Sequence, residues 1–106
     1  NMPKEVYTAS VYSYTHKVTY EIAVAKEYIK REDRVLIVDD FLANGNAVHG
    51  LMRILEEAGA ELVGCAFAIE KGFQGAGDKL RSRGIRVDSL AIVDSMTDES
   101  VCFRVQ

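Results

Sequence analysis

Four aliphatic residues, Val35-Leu36-Ile37-Val38, run without a break into two acids, Asp39-Asp40, and then into Phe41-Leu42-Ala43-Asn44-Gly45-Asn46-Ala47. No other stretch limits the possible folds as strongly. A continuous, mostly β-branched run suits a strand buried on both faces. The acids and the small polar residues after them cannot extend such a strand into a core, so Asp39 to Asn46 reads as a loop. Beyond it Val48, Leu51, Met52 and Leu55 recur at helical spacing, and Gly59 stands where a glycine commonly stops a helix. The segment is therefore strand, loop and helix in that order.

The same grammar continues. Leu62 to Ile69 is a second apolar run, Asp78 to Arg83 fits a shorter helix ended by Gly84, and Val87 to Val93 is a third strand. Strands alternating with helices predict an α/β fold with a parallel sheet and right-handed crossovers. Ligands of such sheets bind beyond the carboxyl ends of the strands. That rule puts Asp39 to Asn46, Glu70 to Phe73 and Asp94 on the functional rim. Ahead of this region, Val6 to Tyr14 is rich in Val, Tyr, Thr and Ser, and Val18 to Val24 places apolar side chains on alternate residues. Thr15, His16 and Lys17 separate the two. The pair predicts a long antiparallel hairpin with a mobile tip.

Composition narrows the function. A chain of 106 residues, 48% hydrophobic, is one globular domain with a modest core. A formal net charge of −3 gives no basic footprint for nucleic acid. The longest apolar run, Leu62 to Ile69, is far short of the roughly 20 residues that span a bilayer, so no membrane is expected. Cys65 and Cys102 lack metal-ligand spacing and read as idle thiols of a reducing compartment, which points to the cytoplasm. The opening Asn1-Met2-Pro3 passes almost at once into a strand, as expected of a fragment.

The loop carries the chemistry. Between a strand and a helix it offers unpaired backbone N–H groups to an anion. Gly45 allows the backbone to curl towards a phosphate, and Asn44 tolerates unusual backbone angles. Two unit charges 4 Å apart repel by about 4 kcal/mol at an effective dielectric near 20, so Asp39 and Asp40 are not phosphate ligands. Carboxylates do accept well from a vicinal diol. A phosphate cradle beside two such acceptors describes a ribose 5-phosphate, and the negative charge favours an oxocarbenium-like transition state at C1. No Gly-Lys-Ser/Thr motif competes, and Gly72, Gly75 and Gly77 have the wrong order for a dinucleotide fingerprint.

Val35 to Ala47 resembles the phosphoribosyl pyrophosphate (PRPP) motif of the type I phosphoribosyltransferases. Further strings are similar to the purine branch, the xanthine enzymes in particular: Thr8 to Thr15, Asp39 to Gly45, Ala58-Gly59-Ala60, Ile69-Glu70-Lys71 and Gly84 to Ala91. They follow the family's order over nearly the whole chain. The resemblance implies that residues 1–106 are the C-terminal portion of a single phosphoribosyltransferase domain. The activity implied is transfer of the 5-phosphoribosyl group from PRPP to N9 of xanthine or a related 6-oxopurine, giving XMP and pyrophosphate. Ala43, Asn44, Gly45, Asn46 and Ala47 would hold the 5-phosphate, with Asp39 and Asp40 catalytic at the ribose. Lys71 would bind the 6-oxo group of the base. Ser13, Tyr14, His16 and Lys17 would belong to a flexible loop. Mg²⁺ would accompany PRPP and pyrophosphate, with no metal site on the protein, and a homodimer is the usual assembly. The family's N-terminal half, with its first core strand and pyrophosphate loop, has no counterpart here, so the chain alone is expected to be inactive. Gly72, in place of a small hydroxyl residue, and Ile85, in place of an aromatic, depart from the pattern.

Several readings stay open. A purine-operon repressor uses a similar PRPP loop to sense ligand, although Ala9-Ser10-Val11-Tyr12-Ser13 favours the enzyme. An adenine or orotate enzyme is disfavoured by Ile69-Glu70-Lys71. Phe73 could stack on a purine or fill a core. His49 has no carboxylate at metal spacing and reads as structural. His16 and Lys17 are either a solvated tip or a cationic closure over pyrophosphate.

Overall fold

In the computed structural model, residues 5–106 are described; the opening Asn1-Met2-Pro3 lies outside them. The chain forms two compact units. One comprises the chain up to Val35 together with Asn46–Leu62, and the other comprises Leu36–Gly45 with Val63–Gln106.

The first unit is a hairpin on a helix. Strands β1 (Val6–Ser13) and β2 (Val18–Ala25) pair antiparallel in the register Val6↔Ala25 to Ser13↔Val18. Helix α1 spans Asn46–Ala58 and turns Val48, Ile54, Leu55 and Ala58 inward. Ala9 and Val11 of β1 are buried, and β1 packs along α1. Gly50 makes that approach possible, since a Cβ there would stand 2.7 Å from Val11 Cγ2. The Arg53 guanidinium straps the two elements by donating to the Ser10 carbonyl at 2.7 Å. Gly59, at φ +75°, ends α1 as expected, and its carbonyl accepts from Glu32 N–H at 2.9 Å.

The second unit is built on a four-stranded sheet ordered β3-β4-β5-β6. Its strands are β3 (Arg34–Leu42), β4 (Glu61–Lys71), β5 (Val87–Met96) and β6 (Val101–Phe103). β4 and β5 pair parallel from Cys65↔Val87 to Lys71↔Val93. Helix α2 (Ala76–Ser82) packs on β5. The α/β class is as read from the sequence, with a mixed, mostly parallel sheet.

Three expectations need correction. The sheet is not wholly parallel, because β6 returns antiparallel to β5. Thr97 builds that turn, its Oγ1 accepting from Ser100 N–H at 3.1 Å, and three residues are too few to show a period. β3 is not buried on both faces: Ile37 is 6% exposed but Leu36 and Val38 are 54% and 70%. β3 is an outer strand of its sheet, and among the described residues no element covers that face. Finally, β3 continues through Asp39 and Asp40 to Leu42, so the loop is only residues 43–45.

Candidate functional site

β3 delivers the two acids to the rim. The inward-outward alternation holds through Val38 and then lapses, leaving Asp39, Asp40 and Phe41 all exposed. Asp40 N–H donates to Asp39 Oδ1 at 2.8 Å, and Phe41 N–H donates to Asp40 Oδ1 at 2.8 Å. Each carboxylate is thus anchored by one oxygen, so its other oxygen can accept a further hydrogen bond. Leu42, 1% exposed, pins the strand end directly after them.

The chain then turns through Ala43-Asn44-Gly45 into α1. Gly45 has φ +86°, a left-handed conformation that costs a residue with a Cβ but not glycine. The first turn of α1 carries no acid, and the N-terminal end of a helix dipole favours an anion. Asn46 opens the helix, and its Nδ2 donates to the Tyr12 carbonyl at 3.0 Å. Asn46 and Ala47 are half-buried, and Asn44 is exposed. His49, half-buried on the same helix, joins no group of three or more potential ligands among the described residues.

In the hairpin, Ser13 Oγ accepts from His16 N–H at 3.2 Å and closes the turn. Tyr14, His16 and Lys17 are exposed at the tip, and Lys17 adopts φ +54°. Tyr14 meets Tyr12 edge to face, with ring centroids 4.9 Å apart.

Lys71 is the last residue of β4, opposite Val93 on β5, and is half-buried. Its neighbours differ from expectation. Glu70 was placed on the functional rim but is 0% exposed. It accepts from Arg81 Nη2 at 2.6 Å, Arg81 Nη1 at 2.9 Å and Ser89 Oγ at 2.8 Å. A carboxylate inside an apolar core would be too costly unpaired, and this bidentate guanidinium is what permits it. Phe73 is 47% exposed, which removes the core reading. Asp94 does lie at the rim, bound to Arg104 Nε at 2.8 Å. Arg104 also donates to both oxygens of Asp78, at 3.0 and 3.1 Å, and Asp78 accepts from Arg81 at 3.0 Å. Glu70, Arg81, Asp78, Arg104 and Asp94 thus form one ionic chain. Sequence reasoning missed it, because its members come from β4, α2, β5 and the stretch after β6, and no local spacing links them.

A concavity of about 380 Å³ opens on the uncovered sheet face, lined by Val38, Asp39, Ala66, Ala68, Asp88 and Leu90. Burial pushes the Cys65 thiol above its ordinary range, consistent with an inert core residue. No helix of the described residues is long and apolar enough to cross a membrane.

Comparison with known proteins agrees with this geometry. The phosphoribosyl transferase domain model matches residues 4–96. A xanthine phosphoribosyltransferase of Alkaliphilus metalliredigens is 47% identical over 104 residues, 98% of this chain and 52% of the relative. One from Oceanobacillus iheyensis is 52% identical over 99 residues, 93% of this chain and 51% of the relative. The chain therefore spans about half the length of the curated relatives it matches. Among solved structures, an adenine phosphoribosyltransferase of Rhodothermus marinus superposes with a TM-score of 0.70 at 30% identity, over 87% of this chain and 51% of that one.

Proposed function

Since the chain belongs to the phosphoribosyl transferase domain family, we propose that its protein transfers the 5-phosphoribosyl group of PRPP to N9 of xanthine or a related 6-oxopurine. XMP and pyrophosphate are the products with xanthine, and residues 1–106 form the C-terminal portion of one such domain. Support for the base comes from the xanthine enzymes at about half identity.

The observation that carries the proposal is the run from β3 into α1. Gly45 at φ +86° and an acid-free helix start suit the 5-phosphate, with Ala43, Asn44, Asn46 and Ala47 completing the cradle. Asp39 and Asp40, each with one anchored oxygen, suit the ribose hydroxyls. During transfer the bond from C1 to pyrophosphate breaks as the bond to N9 forms, and N9 gives up its proton. Positive charge grows on the ribose, and fixed carboxylates stabilise it without reorganising. Lys71 donates to the 6-oxo group. His16 and Lys17 supply cations for pyrophosphate, the hairpin tip serving as the flexible loop with Ser13 and Tyr14.

No cluster of three or more His, Cys, Asp or Glu could hold a metal among the described residues. Mg²⁺ fits as a companion of PRPP and pyrophosphate, which it neutralises when bound. The assembly we propose is a homodimer in the cytoplasm.

Asp40→Asn in the full-length protein tests the site. It keeps the shape and removes the charge, so kcat should fall about 10²–10³-fold while the melting temperature holds. An unchanged kcat, or lost stability with full activity per folded molecule, would sink the assignment.

A further inference from the structure

We propose that Arg53 is a positioning residue for PRPP binding: by holding one edge of β1 on α1, it fixes the hairpin stem so that the tip stands at the start of that helix. This rests on the reading of the α1 start as a phosphate cradle and of the tip as the closing loop. Arg53 itself lies outside the cradle, two turns further along α1.

The geometry has a direction. Asn46 Nδ2 donates to the Tyr12 carbonyl at 3.0 Å, and Arg53 Nη2 donates to the Ser10 carbonyl at 2.7 Å. Between them Gly50 comes so near the strand that a Cβ would stand 2.7 Å from Val11 Cγ2 and 3.7 Å from Ala9 Cβ. Later residues of α1 thus meet earlier residues of β1, so helix and strand run in opposite directions. The start of α1 therefore lies at the tip end of the hairpin, and Ser13 to Val18 continue beyond the attachment at Tyr12.

Two donors on one helix face grip two acceptors on one strand edge. Ser10 and Tyr12 alternate with Val11, so their carbonyls point to the same edge of β1. Asn46 and Arg53, two turns apart, share a face of α1. Glu56 and Glu57 follow Arg53 at the spacing of helical ion pairs. Among the described residues its guanidinium pairs with neither and goes to Ser10 instead. The tip closes on itself, Ser13 Oγ accepting from His16 N–H at 3.2 Å, so its position is set by the stem that carries it. A tip on a fixed stem is preorganised. On a loose stem PRPP must order the hairpin as it binds, which weakens its affinity. Lys71, proposed to hold the base, stands on β4 in the other unit, so this cost falls on one substrate only.

The test uses the full-length protein with PRPP and xanthine. It compares the parent, Arg53→Ala, Arg53→Met, Arg53→Lys and a tip variant carrying His16→Ala with Lys17→Ala. Arg53→Ala should raise the KM for PRPP about three- to tenfold, the worth of one net hydrogen bond. The KM for xanthine should stay within about twofold. Hydrogen exchange should quicken in β1 and β2 and stay unchanged in β4 and β5. Arg53→Met keeps the apolar stem without the donor and should behave as Arg53→Ala, whereas Arg53→Lys restores a cationic donor and should recover most of the PRPP affinity. That difference is one a packing role would not produce, and it stands even if Arg53→Ala does not fold. A parental KM for PRPP in Arg53→Ala beside a raised one in the tip variant refutes the Arg53 role alone. So does a rise shared equally by both substrates, or a lysine variant no better than methionine. An unchanged KM for PRPP in the tip variant refutes the closing-tip reading and this proposal with it, and a parent that does not turn over PRPP refutes the proposed function itself.

Discussion

Asp78 shows how a single side chain registers its surroundings. Hydrogen bonding from Arg104 holds its carboxyl below the usual carboxylate range, outweighing the opposing effect of burial, and Arg81 adds to the lowering. The unfolded chain titrates near pH 3.9, so as pH falls the unfolded state takes up the proton first. The stability Asp78 contributes is therefore present above about pH 4 and is lost as pH drops through the folded value. The side chain is 52% exposed, so the contribution is modest and screened by salt. Thermal melts of the parent and Asp78→Asn should differ near neutrality and converge in acid, with added salt narrowing the gap. A gap that ignores pH would assign the effect to packing. At this scale the exposure of Asp39 and Asp40 and the left-handed turn at Gly45 were legible, because they depend on immediate neighbours. Glu70 was not: an acid after a strand reads as solvated, and only its partners on α2 and β5 reveal that it is buried.

Elements are where that burial takes effect. Gly77, inside α2, has no room for a Cβ, because the Glu70 carboxylate occupies the place. Alanine ordinarily gains about 1 kcal/mol over glycine in a helix. Here the new methyl must displace a carboxylate held by Arg81 and Ser89. Gly77→Ala should therefore lose about 1–3 kcal/mol, the range of overpacked sites. In an Glu70→Ala background the obstruction is gone, and the same substitution should be neutral or stabilising. Urea denaturation of the four proteins measures the coupling, and additive effects would contradict the contact. The sequence's elements were otherwise largely readable: the hairpin, α1 with Gly59 at its end, β4, α2 and β5 all stand near their expected bounds. Those missed have physical reasons. β6 is too short to show a period, and β3 runs through its acids because backbone pairing in a ladder does not depend on side-chain polarity.

At the scale of the molecule, the uncovered sheet face matters most. Leu90 is 85% exposed, Val38 70% and Leu36 54%, on strands of one sheet. A contiguous apolar surface of this kind is unusual on a protein that remains monomeric. The 106-residue chain should bind a hydrophobic dye and self-associate with rising concentration. Leu90→Glu should reduce both while leaving stability within about 0.5 kcal/mol, as for other exposed positions. Equal dye fluorescence in parent and variant would show that this face is not the source. The sequence by itself determined the alternation of strands and helices and the left-handed turn at Gly45 that leads into α1, because periodicity and turn chemistry are local properties of the chain. Tertiary structure alone decided which acid is buried, which arginine answers it and which face of β3 stays open, because each depends on residues that are distant in sequence and meet only once the sheet has formed.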